Sequence, residues 1–400
     1  MNKIYFSILL VSISVLFFGC SPKDNVNPIN NPSGNQMWVL GSDLGGPLKP
    51  YSQSNSTLAR AGIYKMVQFQ NELYVGGDFE VIGGEIISYL AKWDGSKWSS
   101  VGTIDGPVKD LIVFQNKLFI QVKVEIRNRS MYKLISWDGN SLSQEDIIID
   151  ASEYFIDKES WDEEIERWTV HNDKLFLYAE NQSPDIGSNR DNLIWYDGKS
   201  WTTDPEINLH HGVLTSFQGK LYSTVDEGTT NSSLDDDFGF YRFNGDFDNL
   251  QASKSWENVA GVTLEGPKIR TVVEYGNKLI VGGPFETIGG KQISNIASFD
   301  GTNWSEFTSW GIDCPYELKV YNNHLYGSFR YGRASNGPPY YERVAVYNNL
   351  GWQSLEYNLS DLNVVGWGTN FTIESFDGFL YLGGDQAGLT FGNTFVKLQQ

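Results

Sequence analysis

The chain has 400 residues, with 49 acidic and 30 basic side chains and a formal net charge of −19 at pH 7. That surplus of negative charge disfavours nucleic acid and anionic membrane surfaces as partners, because both repel it. Forty-one glycines and a 14% aromatic share fit a chain of many tight turns packed by rings, and a 40% hydrophobic content is adequate for a core.

Residues 1–19 read as a signal peptide. Lys3 supplies the positive start, and Ile4 to Phe18 is an apolar run too short for a spanning helix. Gly19-Cys20 resembles a bacterial lipobox, with Phe17 at the usual leucine position. The resemblance implies cleavage before Cys20, a diacylglyceryl group on its sulfur, and a membrane contact made by that anchor alone. Ser21 argues against inner-membrane retention, and Lys23-Asp24 resembles the export tags of surface lipoproteins in Bacteroidota. The expected location is the outer membrane, lipid-anchored, with the periplasmic and the cell-surface side both open. Residues 20–36 are rich in Asn, Pro and Ser and read as the lipidated cysteine and a flexible tether. Removing residues 1–19 takes away one lysine and no acid, leaving −20. With Cys20 lipidated, Cys314 is left without a partner, so no intramolecular disulfide is expected.

From residue 37 onward the sequence repeats. The segments FQNELY (69–74), FQNKLF (114–119), HNDKLF (171–176), FQGKLY (217–222), YGNKLI (275–280), YNNHLY (321–326) and FDGFLY (376–381) share one pattern. Their marker leucines, Leu73, Leu118, Leu175, Leu221, Leu279, Leu325 and Leu380, are spaced by 45, 57, 46, 58, 46 and 55 residues. A period near fifty built from strand-type units predicts a β-propeller with one blade per repeat.

The first repeat, residues 66–102, shows the unit. A strand ending at Phe69 turns through Gln70-Asn71 into a second around Leu73 to Gly76. A loose glycine-rich connection, Gly76 to Gly84, leads to a third strand over Tyr89 to Trp93. Asp94-Gly95 turns it into a fourth over Trp98 to Val101. Asn-Gly and Asp-Gly pairs suit type I′ turns, whose central residues both need positive φ. Position by position the repeats agree: four residues before each marker leucine stand Phe69, Phe114, His171, Phe217, Tyr275, Tyr321 and Phe376. The last repeat ends at a third-strand match, FVKLQQ (395–400), while MWVLGSDLGGP (37–47) reads like a fourth strand and its exit. The expectation is an all-β, seven-bladed β-propeller of four-stranded antiparallel blades over 37–400, closed by the N-terminal strand.

LYVGGDFEVIGGEIISYLAKWDGSKW (73–98) and LIVGGPFETIGGKQISNIASFDGTNW (279–304) resemble repeats of the kelch and galactose-oxidase central-domain superfamily, in the variety found in fungal cell-polarity marker proteins and Bacteroidota surface lipoproteins. The resemblance implies a propeller and little about activity. The copper ligands of galactose oxidase have no counterpart here. SFDGTNW (298–304) resembles the Asp-box of sialidases with one residue missing, and such boxes are structural turns.

Four histidines limit the options for metal or acid–base chemistry. His171 falls in the aromatic position and reads as a packed ring; His324 falls in a solvated turn. His210-His211 escape a structural explanation, but an adjacent pair on an extended segment points two ways. No metal or other cofactor is expected. By parity both short hairpins of a blade open on one face, and the second-to-third loops and inter-blade connections share the other. Long loops gather there at 121–133, 179–192, 226–239 and 329–343, with connections 150–165 and 308–315. FRYGRASNGPPYYER (329–343) offers Arg330, Tyr331, Arg333, Tyr340, Tyr341 and Arg343, and Trp310 and Trp367 lie on the same side. Arginines and aromatics serve as anchors at interfaces and sugar platforms. The acids at 157–166 and Asp226, Glu227, Asp235, Asp236 and Asp237 lack EF-hand spacing and read as solvated loops. These features point to a monomeric, non-catalytic binding module for an extracellular glycan, peptide or protein. The competing class is a glycan hydrolase or lyase with a carboxylate pair at the axial channel.

Overall fold

The computed structural model describes residues 37–39, 62–126, 129–149, 152–157, 168–181, 191–203, 213–226, 237–247, 255–260, 264–265, 269–307, 314–331, 341–348, 351–354, 371–384 and 395–399. All regular elements among them are strands. The first repeat folds as Gly62–Phe69, Glu72–Asp78, Leu90–Trp93 and Trp98–Ser100, antiparallel and in sequence order. The fifth and sixth repeats copy that meander, over Thr271–Glu306 and Pro315–Ser354. The fourth adds a short strand, Leu264–Glu265, beside Asp237–Asn244.

The first hairpin of every repeat is the type I′ turn that its sequence asks for. Both central residues have positive φ in Gln70-Asn71, Gln115-Asn116, Asn172-Asp173, Gln218-Gly219, Gly276-Asn277, Asn322-Asn323 and Asp377-Gly378. That handedness matches the twist of the paired strands and fixes their register, Phe69 facing Glu72 in the first repeat. Register then sends the marker leucines inward, and all seven are at most 1% exposed. Burial of each contributes about 2 kcal/mol.

The second hairpins differ from the expected turn. In Asp94-Gly95-Ser96-Lys97 only glycine has positive φ, and Asp94 N–H donates to the Lys97 carbonyl at 3.3 Å. Glycine is therefore the first central residue, as a type II′ turn requires. The aspartate precedes the turn, and Asp94 Oδ1 accepts from the N–H groups of Ser96 and Lys97 at 2.8 and 2.9 Å. Asp138, Asp197 and Asp300 repeat the arrangement. The Asp-box-like segment is thus the structural turn expected of it. The glycine-rich stretch after Gly76 is also more ordered than a loose connection, since Val81–Ile82 and Glu85–Ile86 pair as a miniature hairpin.

The blades number six, which corrects the expected seven. The second and third repeats share one ten-stranded sheet. Residues 121–126 and 129–133 pair with each other as long strands, with Arg129–Trp137 running far past its outer partner Leu142–Glu145. In the third repeat Lys174–Asn181 outruns its inner partner Trp168–His171 in the same way. Both overhangs leave backbone groups that need partners. Ser152–Asp157 supplies them on its two edges, pairing Tyr132 with Ile156 on one side and Phe155 with Glu180 on the other. An inter-blade connection has become a shared strand.

Ring closure follows the sequence. Met37–Val39 pairs with Phe395–Gln399, Trp38 facing Leu398, and completes the four-stranded last blade. Innermost strands touch their neighbours around the axis: 62–69 lies between 108–114 and 371–376, and 315–321 between 271–275 and 371–376. Hydrophobic clusters fill the space between blades. Phe79, Trp93 and Trp98 of the first repeat meet Phe376, Tyr381 and Phe395 of the last, and Phe217, Tyr222 and Phe240 of the fourth meet Phe285, Phe299 and Trp304 of the fifth. No helix among the described residues is long and apolar enough to cross a membrane.

Candidate functional site

Each innermost strand runs towards its first hairpin, so its opening residues lie at the other end of the axis, on the face of the inter-blade connections. Three innermost strands carry a register shift at that end, between Ile63 and Lys65, Val108 and Asp110, and Pro315 and Glu317. A β-bulge adds a residue to one strand and re-aims the side chains beside it. In each case the residue that resumes pairing is charged.

The mouth of the channel therefore collects Lys65, Lys109, Asp110, Arg270 and Glu317. Lys65 Nζ stands 4.0 Å from Asp110 Oδ1, and Lys109 Nζ lies 5.0 Å over the Tyr64 ring. Asp110 Oδ1 also accepts from the N–H of Leu111 at 2.7 Å. Glu317 Oε2 accepts from the Ile373 N–H at 3.1 Å, tying the sixth repeat to the last. One turn deeper Lys319 Nζ meets the buried Glu374 carboxylate at 2.7 Å. Among the described residues, three cations stand against two carboxylates at this rim.

The sequence-predicted residues fall unevenly. Arg330, Tyr331, Tyr341 and Arg343 lie in paired strands and not in a loop, with Arg330 facing Glu342 and Tyr331 facing Tyr341. The long strands carry both ends of the segment out on the connection face. Asp226 and Asp237 likewise terminate strands. Arg333, Tyr340, Trp310, Trp367, His210, His211, Cys20, Glu227, Asp235 and Asp236 lie outside the described residues. Among the described residues no three His, Cys, Asp or Glu side chains are grouped to hold a metal. Cys314 is buried, with Arg270 Nη1 3.8 Å from its sulfur. The sequence contains one other cysteine, Cys20.

His171 is the packed ring expected, set in a junction that sequence reading did not single out. Its Nδ1 is 2.8 Å from Ser216 Oγ of the next repeat, and its Nε2 is 3.0 Å from Asn172 Nδ2. The neutral ring fits both, Nδ1–H donating to the hydroxyl and Nε2 accepting from the amide. Burial, and then the charges of Lys174 and Lys220, hold its pKa below the usual histidine range. Phe176 and Phe247 stand edge-on to it or nearly so, at 5.9 and 6.2 Å between ring centres. A cleft of about 60 Å3 opens here on the turn face, with Asn172, Lys174, Lys220, Asp246 and Phe247 among its walls.

No family model matches the chain, and no curated protein matches it. Solved structures do. The β-propeller domain of the Trilobed protease from Pyrococcus furiosus is 8% identical with a TM-score of 0.47, over 85% of this chain and 93% of that one. PorZ, a surface component of the type-IX secretion system of Porphyromonas gingivalis, is 11% identical with a score of 0.41, over 82% of this chain and 51% of that one. An α-L-arabinanase of Penicillium chrysogenum complexed with arabinobiose is 12% identical with a score of 0.38, over 92% and 99%. Likeness at this level assigns no activity.

Proposed function

We propose that the protein is a non-catalytic binding module of the cell envelope, with kelch-like repeats, that engages an extracellular glycan, peptide or protein through the connection face of its propeller. The observation that carries this reading is the charged rim at the channel mouth. Its carboxylates are committed to neighbours, Asp110 to Lys65 and the Leu111 N–H, Glu317 to the Ile373 N–H. A glycosidase needs two carboxyl groups facing an open site, one of them able to hold a proton near neutral pH. Bulged strand ends that present cations and a tyrosine on a rigid ring suit recognition better than proton transfer. The strands of the sixth repeat add Arg330, Tyr331 and Tyr341 to the same face.

The anchor is part of the proposal: export by residues 1–19, lipid on Cys20, and a tether to residue 36 that holds the ring at the outer membrane. A glycan array followed by product analysis tests the function. Binding lost in Lys109→Gln, Arg333→Ala or Tyr340→Ala without any turnover supports it. Bond cleavage lost in Asp110→Asn or Glu317→Gln would overturn it in favour of an enzyme.

A further inference from the structure

We infer that the cleft between the third and fourth repeats is a second binding site, for a small monocarboxylate. It lies on the turn face and is independent of the connection-face reading. It sits at a junction without the side-chain latch that three others have; Gly276, Asn322 and Asp377 also stand where those three have glutamine. At three other junctions the turn glutamine of one repeat reaches the second hairpin of the next: Gln70 Nε2 donates to the Asp138 carbonyl, Gln115 to Asp197 and Gln218 to Asp300, at 3.2, 3.2 and 3.4 Å. The third repeat has Asn172 at this position. Its side chain is one methylene shorter and is bonded to its own neighbour His171. Opposite it the hairpin is Asn244-Gly245-Asp246-Phe247, lengthened before Trp256. The latch is missing, and the cleft stands in its place.

The walls define the ligand. Lys174 and Lys220 come from equivalent hairpins of adjacent repeats, and both act electrostatically on the His171 ring. Lys220 is exposed and has no carboxylate partner among the described residues. Asp246 on the rim offsets one of the two ammonium groups, which leaves a single positive charge to be matched. That balance suits a monoanion and opposes a dianion. Phe176, Phe243 and Phe247 lie beneath the cleft, Phe243 and Phe247 stacked at 4.3 Å, while most of its accessible lining is polar. The imidazole is neutral and saturated by Ser216 and Asn172, so it neither repels an anion nor competes for it. A volume of about 60 Å3 holds the equivalent of roughly four waters, the size of a carboxylate with a short alkyl tail.

The test is titration of the full-length protein with sodium propionate against sodium chloride at equal ionic strength, followed through the His171 ring resonances. Propionate is expected to give a saturable shift and to raise the His171 pKa, because a bound anion offsets the two lysines. Lys220→Gln, an exposed change in a turn, should weaken the effect several-fold, and Asp246→Asn should strengthen it. A shift no different from chloride, or one unchanged in Lys220→Gln, overturns the site. Tighter binding of sulfate than of propionate overturns the ligand class. Lys109→Gln at the channel mouth should leave the titration untouched; loss of the shift there would place the ligand on the other face.

Discussion

Gln70 of the first repeat and Asp138 of the second, 68 residues apart, meet at 3.2 Å through the glutamine amide and the aspartate carbonyl. The glutamine side chain lies against Gly139, where a Cβ would come within 2.2 Å of its oxygen. Glycine thus serves twice at this turn, giving the φ of 101° and making room for the neighbouring blade. The same Gln–Asp-Gly contact joins the second repeat to the third and the fourth to the fifth. Two hairpins that sequence treats as separate turns form one inter-blade joint.

Breaking one joint should have a modest cost, since the amide regains water when it lets go. Gln115→Ala is expected to lower unfolding stability by about 0.5–1 kcal/mol, the net value of one such hydrogen bond. Gly198→Ala should cost more, because its added Cβ meets the Gln115 side chain and its φ of 95° is strained for alanine. Urea unfolding of the two variants checks the order. Equal effects would mean that the glutamine, and not the turn, dominates.

The capping aspartates set an acid limit. The Ser96 hydroxyl and two backbone N–H groups hold Asp94 at about 2, and backbone N–H groups hold Asp138, Asp197 and Asp300 below the ordinary range. A carboxylate with a depressed folded pKa stabilises the fold above its unfolded pKa of about 4, and that contribution is lost as pH falls through the folded value. Stability should therefore decline between about pH 4 and pH 2. Asp138→Asn, whose amide oxygen still caps the turn, should flatten that decline, as thermal unfolding at stepped pH would show.

The strand-and-turn frame was legible because it depends on local chemistry. Residues at positive φ, a buried leucine and an aromatic four positions earlier are fixed by nearest neighbours, so Leu73 to Leu380 marked every repeat. Closure by Met37–Val39 was legible because a missing strand and an orphan strand match in pattern. The fusion of the second and third repeats was not, since it arises from how far Arg129–Trp137 and Lys174–Asn181 outrun their partners, a matter of length and not of residue type. The channel mouth was missed for a similar reason. Lys65, Asp110 and Glu317 are unremarkable alone and acquire meaning from bulges that only register reveals. The turn-face cleft had only a weak signal: Asn172 stands where three repeats have glutamine, but so do Gly276, Asn322 and Asp377.

His171 should make the third-to-fourth junction sensitive to acid in a separate window. Its folded pKa is depressed by burial and by Lys174 and Lys220, with Asp246 the nearby acid at the cleft rim. The unfolded chain then takes up the proton first, so stability falls as pH drops from about 6.5 through the folded pKa. His171→Phe restores the ring type of the other repeats but loses the bond to Ser216. It should be less stable than the parent at pH 8, and the gap should narrow or reverse near pH 5. A gap constant across that range would show that the imidazole stays uncharged for another reason.

Closure by Met37–Val39 makes its own prediction. A chain beginning at Ala61 leaves Phe395–Gln399 as an unpaired edge beside the first blade. The melting temperature should fall by several degrees, with self-association through the exposed edge. Circular dichroism and size-exclusion chromatography of the two chains report both effects. Identical melting would mean that the terminal strand is dispensable to the ring.

The two cysteines distinguish two covalent forms. Cys314 is buried, and Cys20 is the other cysteine of the sequence. A lipidated Cys20 cannot also pair with Cys314, so the anchored form proposed above has Cys314 as a buried thiol. Protein recovered from the envelope should show the diacylglyceryl mass on residue 20 and one thiol that reacts only after denaturation. Cys20→Ser should leave the membrane pellet and keep a folded ring, because Cys314 is packed beside Arg270 whether or not it is bonded. Envelope protein with no lipid and no thiol after denaturation would establish the disulfide as the native state and remove the anchor.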